Sequence, residues 1–571
     1  MNTIQRSLSP FLVPVLGPAV VLALTLVSAL STLPSGASAQ DYRDAYPKNP
    51  GIDMLGYVFE LTLSDQTDVV EGVATATARY VDGGQRELRL DLIQPLDSLD
   101  GAGMTVSRVT TGDDDLAFRQ ADHQLLIDLG RTIPAGERVQ VQVHYSGRPS
   151  DGLDIGPNRY GDRTFFSDNW SSRVRAWLPV VDHPYDKATT EMIVTAPSHY
   201  QVASNGTVAE ESGWGDGMRR THYVNPVPTA TWLYFLGVAR FAVQQLEPWG
   251  DVPIETWVYW QDREAGFYDF AVPTKAAMEF YDEYVGPYAY ERIANITSPV
   301  TGGGMEAATS IMYHESSVTG ERTVRWRNVI IHEVAHQWFG NAVTESDWDD
   351  IWLSEGFATY FTLLFIEHAY GRDEFVAGLR SSADRVFAQY ADDPGYRIVH
   401  DDLSDMRRVT SGATYQKGSW ILHMLRSQMG DEAFWAGISA YYERYMNRNA
   451  TTADFRREME SASGMDLEAF FQQWLYEGGN PRLEGWWTYD PTAEAVQIEI
   501  NQTQTTGPTF AFPLEIGVYF DGESRPRTVE AVEVDGRFHR FVVPVDGEPT
   551  NVTLDPDVKT LFEADFGPRE R

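Results

Sequence analysis

The sequence contains no cysteine, which excludes disulfide bonds, thiolate metal ligands, cysteine nucleophiles and lipid attachment at a cysteine. It is also poor in basic residues: Lys and Arg together number 45 against 82 Asp and Glu, so the net charge is -37. A strongly acidic surface repels nucleic acid and anionic lipid, so neither is expected as a partner. Internal repeats and low-complexity linkers are absent from the sequence as well.

The length of the chain bears on the number of its domains. At 571 residues it exceeds what a single hydrophobic core supports, and about three or four domains are expected. Apolar residues make up 43% of the sequence and aromatic residues 12%, which excludes a largely disordered chain. A chain of this size is stabilised without disulfides by its core or by a metal.

The N-terminus has almost no charge, since Arg6 is the only charged residue before Asp41. The apolar run "FLVPVLGPAVVLALTLVSAL" is followed by Ala37, Ser38 and Ala39. This pattern predicts a signal peptide over residues 1–39, a mature chain without a stable membrane partner, and export to the periplasm or the medium. Because the run is about 20 residues long, an uncleaved membrane anchor is the alternative.

Two regions of the chain have the period-two alternation of β-strands. Between residues 40 and 242, segments such as "RVQVQVHY" alternate apolar and polar residues and are separated by turn signals such as "DGG" and "PAGE". This indicates an antiparallel β domain with one buried face. From 481 to 571 the alternation returns at Val496, Ile498 and Ile500, which predicts a C-terminal β-sandwich.

Helical patterns dominate the middle of the chain, residues 243–480. The segment "VPTKAAMEFYDEYVG" predicts a helix that begins at Pro273 and ends at Gly286. Further helices are predicted in "TVRWRNVIIHEVAHQWFG", "EGFATYFTLLFIEHAYG", "SWILHMLRSQMG", "TADFRREMESASG" and "DLEAFFQQWLYEGG". The fold class predicted for the whole chain is therefore multidomain α+β.

A candidate metal site lies in the segment from Ile331 to Tyr360. His332 and His336 are four residues apart, so a helix places both imidazoles on one face. Glu355 follows after eighteen intervening residues, and two imidazoles with one carboxylate form a His2Glu zinc set. The His-Glu-x-x-His spacing places Glu333 beside a metal-bound water as a general base.

The spacing of these residues alone has a simpler explanation, because a buried and hydrogen-bonded histidine pair also produces it. The longer string "HEVAHQWFGNAV" followed by "WLSEGFA" carries more information. Asp349 and Asp350, just before Glu355, are candidates for acceptors that hold an imidazole in one tautomer.

The string resembles the aminopeptidase N family of zinc peptidases, the gluzincins of peptidase family M1, which include leukotriene hydrolase. The resemblance implies one Zn²⁺ held by His332, His336 and Glu355, with Glu333 as base. The segment "LPVVDHP" is similar to a motif of the family's N-terminal β domain. The implied order is a β domain, a thermolysin-like catalytic domain and a β-sandwich, and the helical fourth domain of larger members is not expected.

The segment "TGGGMEAAT" resembles the family's G-x-M-E-N motif, which binds the substrate's N-terminus. The resemblance implies that Glu306 holds the free α-amino group, with Met305 beside it. Gly303 and Gly304 would let the backbone pair with an extended substrate. Ala307 departs from the family, which has asparagine at this position, so one hydrogen bond to the substrate is in doubt.

Two more residues are assigned by the resemblance. Tyr415 in "GATYQKGSW" is similar to the tyrosine of the family's Y-x-K-G motif, which implies donation to the oxyanion of the tetrahedral intermediate. Asp168 and Trp170 in "FSDNWSSRVRAWLP" lie near the place of a Gln or Glu that contacts the substrate amine. Asp168 is therefore predicted to assist in amine binding.

The predicted function is a zinc-dependent aminopeptidase that acts on peptides with a free N-terminus. Three alternatives stay open. The same zinc set occurs in endopeptidases of thermolysin type, and the leukotriene hydrolase branch acts on a non-peptide substrate, an epoxide. A binding protein that retains the fold without catalysis is the third, and the joint presence of ligands, base and Tyr415 disfavours it.

Overall fold

The computed structural model describes residues 46–399, 403 and 406–569. The predicted signal peptide and the alternative membrane anchor lie outside these residues. Among the described residues, no helix combines the length and the hydropathy that crossing a bilayer requires.

The N-terminal region is built from strands whose alternate residues point into one core. Tyr57, Phe59 and Leu61 are buried on one strand, as are Val141 and Val143 on another. In the described residues the strands β1 to β15 are Ile52–Thr62, Val70–Tyr80, Gln85–Asp91, Gly103–Thr111, Asp114–Asp115, Ala117–Ala121, Gln124–Ile133, Arg138–Arg148, Leu153–Pro157, Arg163–Ser167, Lys187–Pro197, Gln201–Ser204, Thr207–Gly213, Met218–Ala230 and Leu236–Ala239.

These strands form three sheets, and the pairing is not wholly antiparallel. The largest sheet has the order β13-β14-β11-β1-β2-β8-β4-β5, and β1 and β11 in its middle run parallel, with Tyr57 opposite Thr190. Since a tight hairpin joins only antiparallel strands, parallel neighbours need a long connection, which here includes β2 to β10. The prediction of an antiparallel domain is therefore right for most pairs and wrong for this one.

The middle region combines a five-stranded sheet, in the order β16-β17-β18-β20-β19, with helices. Its strands β16 to β22 are Phe241–Gln245, Ile254–Tyr259, Ile293–Ser298, Gly304–Met305, Ser310–His314, Val343–Glu345 and Arg448–Ala450. Its helices α1 to α10 are Arg263–Phe270, Pro273–Tyr284, Val324–His336, Trp352–Tyr370, Arg372–Asp392, Met406–Val409, Gly412–Met429, Asp431–Tyr445, Thr452–Ser463 and Glu468–Phe471.

Local signals account for several helix ends. Pro273 occupies the first turn of α2, where a missing N–H costs nothing. Thr451 caps α9 in a reciprocal pair with Asp454, and Gly464 ends that helix in the left-handed conformation. The six predicted helical segments are confirmed, whereas the sequence analysis did not identify α1, α5, α6 and α8.

The C-terminal region is a sandwich of two sheets, ordered β27-β24-β23-β29 and β26-β25-β28. Its strands β23 to β29 are Arg482–Asp490, Ala495–Gln502, Phe512–Tyr519, Thr528–Val534, Phe538–Pro544, Asn551–Leu554 and Glu563–Pro568. Its inner residues, including Val496, Ile498 and Ile516, belong to the same hydrophobic cluster as α3, α4 and α7. The sandwich therefore supports the helices that carry the candidate site, and the predicted α+β fold class is confirmed.

Candidate metal centre

Helix α3 carries two of the candidate ligands. Its apolar residues Ile330, Ile331, Val334 and Ala335 are buried in the core, which fixes the rotation of the helix. His332 and His336 consequently extend from one face, and their Nε2 atoms lie 3.1 Å apart.

Helix α4 brings the third candidate ligand to the same point. Glu355 Oε2 lies 3.5 Å from His332 Nε2 and 3.2 Å from His336 Nε2. The ligand atoms of the three residues all lie within 4.8 Å of one another. The structure thus brings together the three residues that the sequence analysis predicted as ligands.

This donor set fits a tetrahedral metal ion. Three N and O donors at about 2.0–2.1 Å from a tetrahedral ion are separated by about 3.4 Å, close to the spacing seen here. The Oε2 atoms of Glu355 and Glu333 are buried and have no hydrogen-bond partner in the described residues. A buried carboxylate oxygen without a partner is unfavourable, and a cation at this point would satisfy it.

The charges around the group also favour a cation. Burial lowers the pKa of His336, but the carboxylates of Glu306 and Glu355 outweigh it and raise the pKa to about 10. Burial, followed by the nearby Glu306, raises the pKa of Glu333 well above its ordinary value. Burial likewise raises the pKa of Glu306 to about 7. Three buried carboxylates therefore surround the imidazoles, and positive charge among them is stabilising.

The orientation of His336 is set by groups that the sequence analysis missed. Its Nδ1 atom lies 3.1 Å from the Phe339 carbonyl oxygen and 3.1 Å from Ser354 Oγ. A carbonyl only accepts, so a proton is assigned to Nδ1, and in the neutral imidazole that binds a metal the lone pair of Nε2 faces the metal position. The predicted acceptors Asp349 and Asp350 do not take this place.

Asp350 has a structural role instead. Its carboxylate accepts from the Thr452 hydroxyl at 2.5 Å and from the Thr452 backbone N–H at 3.1 Å, at the start of α9. The prediction failed because closeness in sequence to Glu355 does not determine which way a side chain on the preceding turn points.

Gly340 makes the contact between Ser354 and His336 possible. Its φ of +108° lies in the region that favours glycine. A Cβ atom there would overlap Ser354 Oγ and lie 3.1 Å from His336 Nδ1. The glycine in "HQWFGN" is therefore explained by both its backbone conformation and the space it leaves.

Helix α7 places Tyr415 beside Glu355. The Tyr415 hydroxyl donates to Glu355 Oε1 at 2.8 Å, and its ring stacks near that of His332 at 6.3 Å. The two helices approach closely because Gly356 faces Gly418: a Cβ on Gly418 would lie 2.9 Å from the Gly356 Cα. Two glycines therefore set the distance between Tyr415 and the metal ligands.

Gly418→Ala is expected to separate α4 from α7, since the new methyl group meets backbone that cannot yield locally. We expect a loss of about 1–3 kcal/mol of stability from overpacking, together with a lower kcat as Tyr415 moves from Glu355. Thermal unfolding and steady-state kinetics measure both effects. Gly412→Ala on the same helix is the control, because its nearest neighbouring atom lies 3.9 Å away; equal effects at both positions would contradict this explanation.

Strand β19 brings the predicted substrate-binding residues to α3. Glu306 is 5% exposed, and its carboxylate forms a second group with Glu333 and His336, again within 4.8 Å. A Cβ on Gly304 would overlap the Glu333 carboxylate, so a side chain at this position would displace the predicted base. Met305 is buried beside them, and Gly303 precedes them with open space around it.

Asp168 is already engaged in an ion pair. Its Oδ2 atom lies 2.6 Å from Arg173 Nη2, and Arg173 also pairs with Asp151. Trp170 packs against Trp232 and Trp348 at ring distances of 5.1 and 4.9 Å. The role of Asp168 in amine binding stays a prediction, and Arg173 neutralises part of the charge that it would offer.

Comparison with known proteins identifies relatives of this chain. Glutamyl aminopeptidase of Homo sapiens is 30% identical over 56% of this chain, and the match covers 34% of the human protein. Probable aminopeptidase 2 of Sulfurisphaera tokodaii is 26% identical over 67% of this chain and 50% of its own length. The chain thus matches only about a third to a half of the length of these relatives.

A solved structure shares the fold. Aminopeptidase A of Legionella pneumophila, in complex with aspartic acid, superposes with a TM-score of 0.75 at 18% identity, covering 92% of this chain and 60% of that one. Two family models also match: the Peptidase M1 N-terminal domain over residues 59–233 and the Peptidase family M1 domain over residues 268–474. The matched residues include the whole candidate metal centre and more than half of the sequence, and the chain belongs to peptidase family M1.

Proposed function

We propose that this chain is a zinc-dependent aminopeptidase that hydrolyses the first peptide bond of peptides with a free N-terminus. One arrangement carries the proposal. His336 belongs both to the His2Glu group and to a second group with Glu306 and Glu333, and within each group the ligand atoms lie within 4.8 Å of one another. A metal site alone suits any zinc peptidase, whereas an adjacent buried carboxylate suits one that recognises an ammonium group.

His332, His336 and Glu355 would hold the metal. When bound there, Zn²⁺ supplies Lewis acidity, which lowers the pKa of a water ligand and polarises a carbonyl group. Glu333 lies on the same helix between the two histidines and has a free Oε2 atom. In this proposal Glu333 removes a proton from the attacking water and transfers it to the leaving amine.

Two other side chains position the substrate and stabilise charge. Glu306 pairs with the substrate ammonium, so that the first peptide bond, and not a later one, reaches the reacting groups. The Tyr415 hydroxyl, held 2.8 Å from Glu355 Oε1, would donate to the oxyanion that forms at the carbonyl. The names of the human and archaeal relatives also support removal of an N-terminal residue.

The proposal is tested with one peptide in two forms, with a free and with an acetylated N-terminus. We expect kcat/KM to be about ten- to a hundredfold higher for the free form, the equivalent of one hydrogen bond to a charged group. Bound zinc is measured on the same preparation by elemental analysis. Glu306→Gln, which keeps the shape of the side chain and removes its charge, should reduce this preference.

Two results would contradict the proposal in different ways. Internal cleavage of both peptides at equal rates would identify an endopeptidase of thermolysin type. A zinc-loaded protein that cleaves neither peptide, across a series of different N-terminal residues, would favour a non-peptide substrate.

A further inference from the structure

Two amide side chains outside the predicted site hold the backbone of Glu306. Its carbonyl oxygen accepts from Asn341 Nδ2 at 2.6 Å and from Gln337 Nε2 at 3.1 Å. Both amides are fully buried; Gln337 directly follows His336 at the end of α3, and Asn341 lies four residues further along the chain. One short segment therefore contacts the predicted amine anchor and carries a predicted metal ligand.

Gln337 forms hydrogen bonds through both the nitrogen and the oxygen of its side-chain amide. While its nitrogen donates to the Glu306 carbonyl, its Oε1 atom accepts from the Thr309 backbone N–H at 3.0 Å. In the same turn between β19 and β20, the Ala308 carbonyl accepts from Asn205 of the N-terminal region at 2.6 Å. Residues 306 to 309 are thus hydrogen-bonded both to the segment that follows α3 and to the N-terminal region.

The segment that carries Asn341 is itself braced. Lys187 Nζ, at the start of β11, donates to the carbonyl oxygens of Asn341 and Ala342 at 2.8 and 3.0 Å and to Thr344 Oγ1 at 2.9 Å. An ammonium has three N–H groups, and three oxygens accept them here. Asn341 therefore has little freedom to follow a displaced Glu306.

We propose that Gln337 and Asn341 are positioning residues, which fix the distance between the Glu306 carboxylate and the metal ligands. The inference rests on the proposed function, because that distance matters only if Glu306 binds the substrate ammonium. A carboxylate selects the first peptide bond only while it stays at a set distance from the reacting groups. The two amides supply this constraint through the backbone, where the substrate does not disturb it.

The first test is Asn341→Leu. Leucine has nearly the shape of asparagine, and Asn341 Oδ1 has no hydrogen-bond partner in the described residues, so the change removes one side-chain hydrogen bond. We expect KM for the free peptide to rise about tenfold, the equivalent of roughly one hydrogen bond, with kcat within about threefold. The acetylated peptide should be cleaved as before, so the ratio between the two peptides falls while zinc content is unchanged.

Asn295→Leu is the matched control. Asn295 is a fully buried asparagine of the same region, but its amide contacts Thr274 and Tyr313 and not Glu306. Its replacement is expected to lower the unfolding temperature without changing the ratio between free and acetylated peptide. A purely structural role of Asn341 predicts that both variants behave in this way, and that result would overturn the proposal.

Gln337→Met provides an independent variant if Asn341→Leu does not fold, since it keeps the Asn341 bond and removes both the bond from Gln337 to the Glu306 carbonyl and the bond that Gln337 accepts from Thr309. A wild-type ratio in a folded, zinc-loaded Gln337→Met protein would equally overturn the proposal. Failure of the proposed function is recognised separately, because it is read from the wild-type protein: equal cleavage of free and acetylated peptides by the wild type rejects the aminopeptidase assignment itself.

Discussion

Glu333→Ala is expected to retain the metal and to lower kcat by about 10²- to 10⁴-fold, the contribution of a positioned general base. The three candidate ligands are untouched by the change, and the apolar residues that pack α3 into the core are kept. What disappears is the carboxylate that lies with Glu306 and His336 within 4.8 Å. The measurements are kcat on a free-amine peptide and zinc content of the same preparation.

Glu321→Ala is a suitable control for this variant. Glu321 is exposed and lies on the loop just before α3, so the same chemical change is made without touching the site. Wild-type kinetics are expected there. A Glu333→Ala protein that binds zinc and turns over normally would show that another group moves the proton.

Tyr415→Phe is expected to lower kcat by about 10²- to 10³-fold, as for loss of one donor to an oxyanion. KM should change little, because the hydroxyl acts on charge that develops only after the substrate is bound. The variant also removes the 2.8 Å bond to Glu355 Oε1, but Glu355 keeps its second oxygen toward the histidines. Kinetics and zinc content on one preparation separate the loss of the donor from a loss of metal.

Tyr445→Phe is the control for a lost tyrosine–carboxylate bond. The Tyr445 hydroxyl donates to Asp454 Oδ1 at 3.0 Å in the same region of the chain, next to the capped start of α9. Its loss is expected to affect stability and not kcat. If Tyr415→Phe lowers kcat no more than Tyr445→Phe does, the oxyanion role of Tyr415 is wrong.

The candidate ligands were predictable because their relation is local. A helix repeats every 3.6 residues, so His332 and His336 lie on one face whatever surrounds the helix. The buried residues Ile330, Ile331, Val334 and Ala335 show the periodicity that made α3 recognisable. The resemblance to a family then allowed Glu306 and Tyr415 to be predicted as site residues, because no helical or strand spacing relates them to the histidines.

Other features of the fold were not predictable in this way. The parallel pair β1 and β11 joins segments more than a hundred residues apart. The alternation of apolar and polar residues in a strand does not indicate which strand it pairs with or whether the pair is parallel. Helices α1, α5, α6 and α8 were not identified. In α5, only five of 21 residues are buried, the polar Ser382 and four apolar residues: Phe375, Leu379, Val386 and Tyr390. That Ser354, and not Asp350, contacts His336 Nδ1 likewise depends on the direction of a turn.

Helical spacing in the bare sequence was enough to predict that His332 and His336 share one face, because residues four apart on a helix lie one turn apart. The resemblance to the family, and not the spacing, favoured a metal site over a buried histidine pair. How separate elements pack determined three features: the position of the third candidate ligand, its contact with Tyr415, and the two amides that hold Glu306. The contact between Gly356 and Gly418 joins residues 62 positions apart. The contact between Asn341 and Glu306 joins residues 35 positions apart. Such contacts arise from the shape of the whole core, and no local pattern of residues encodes them.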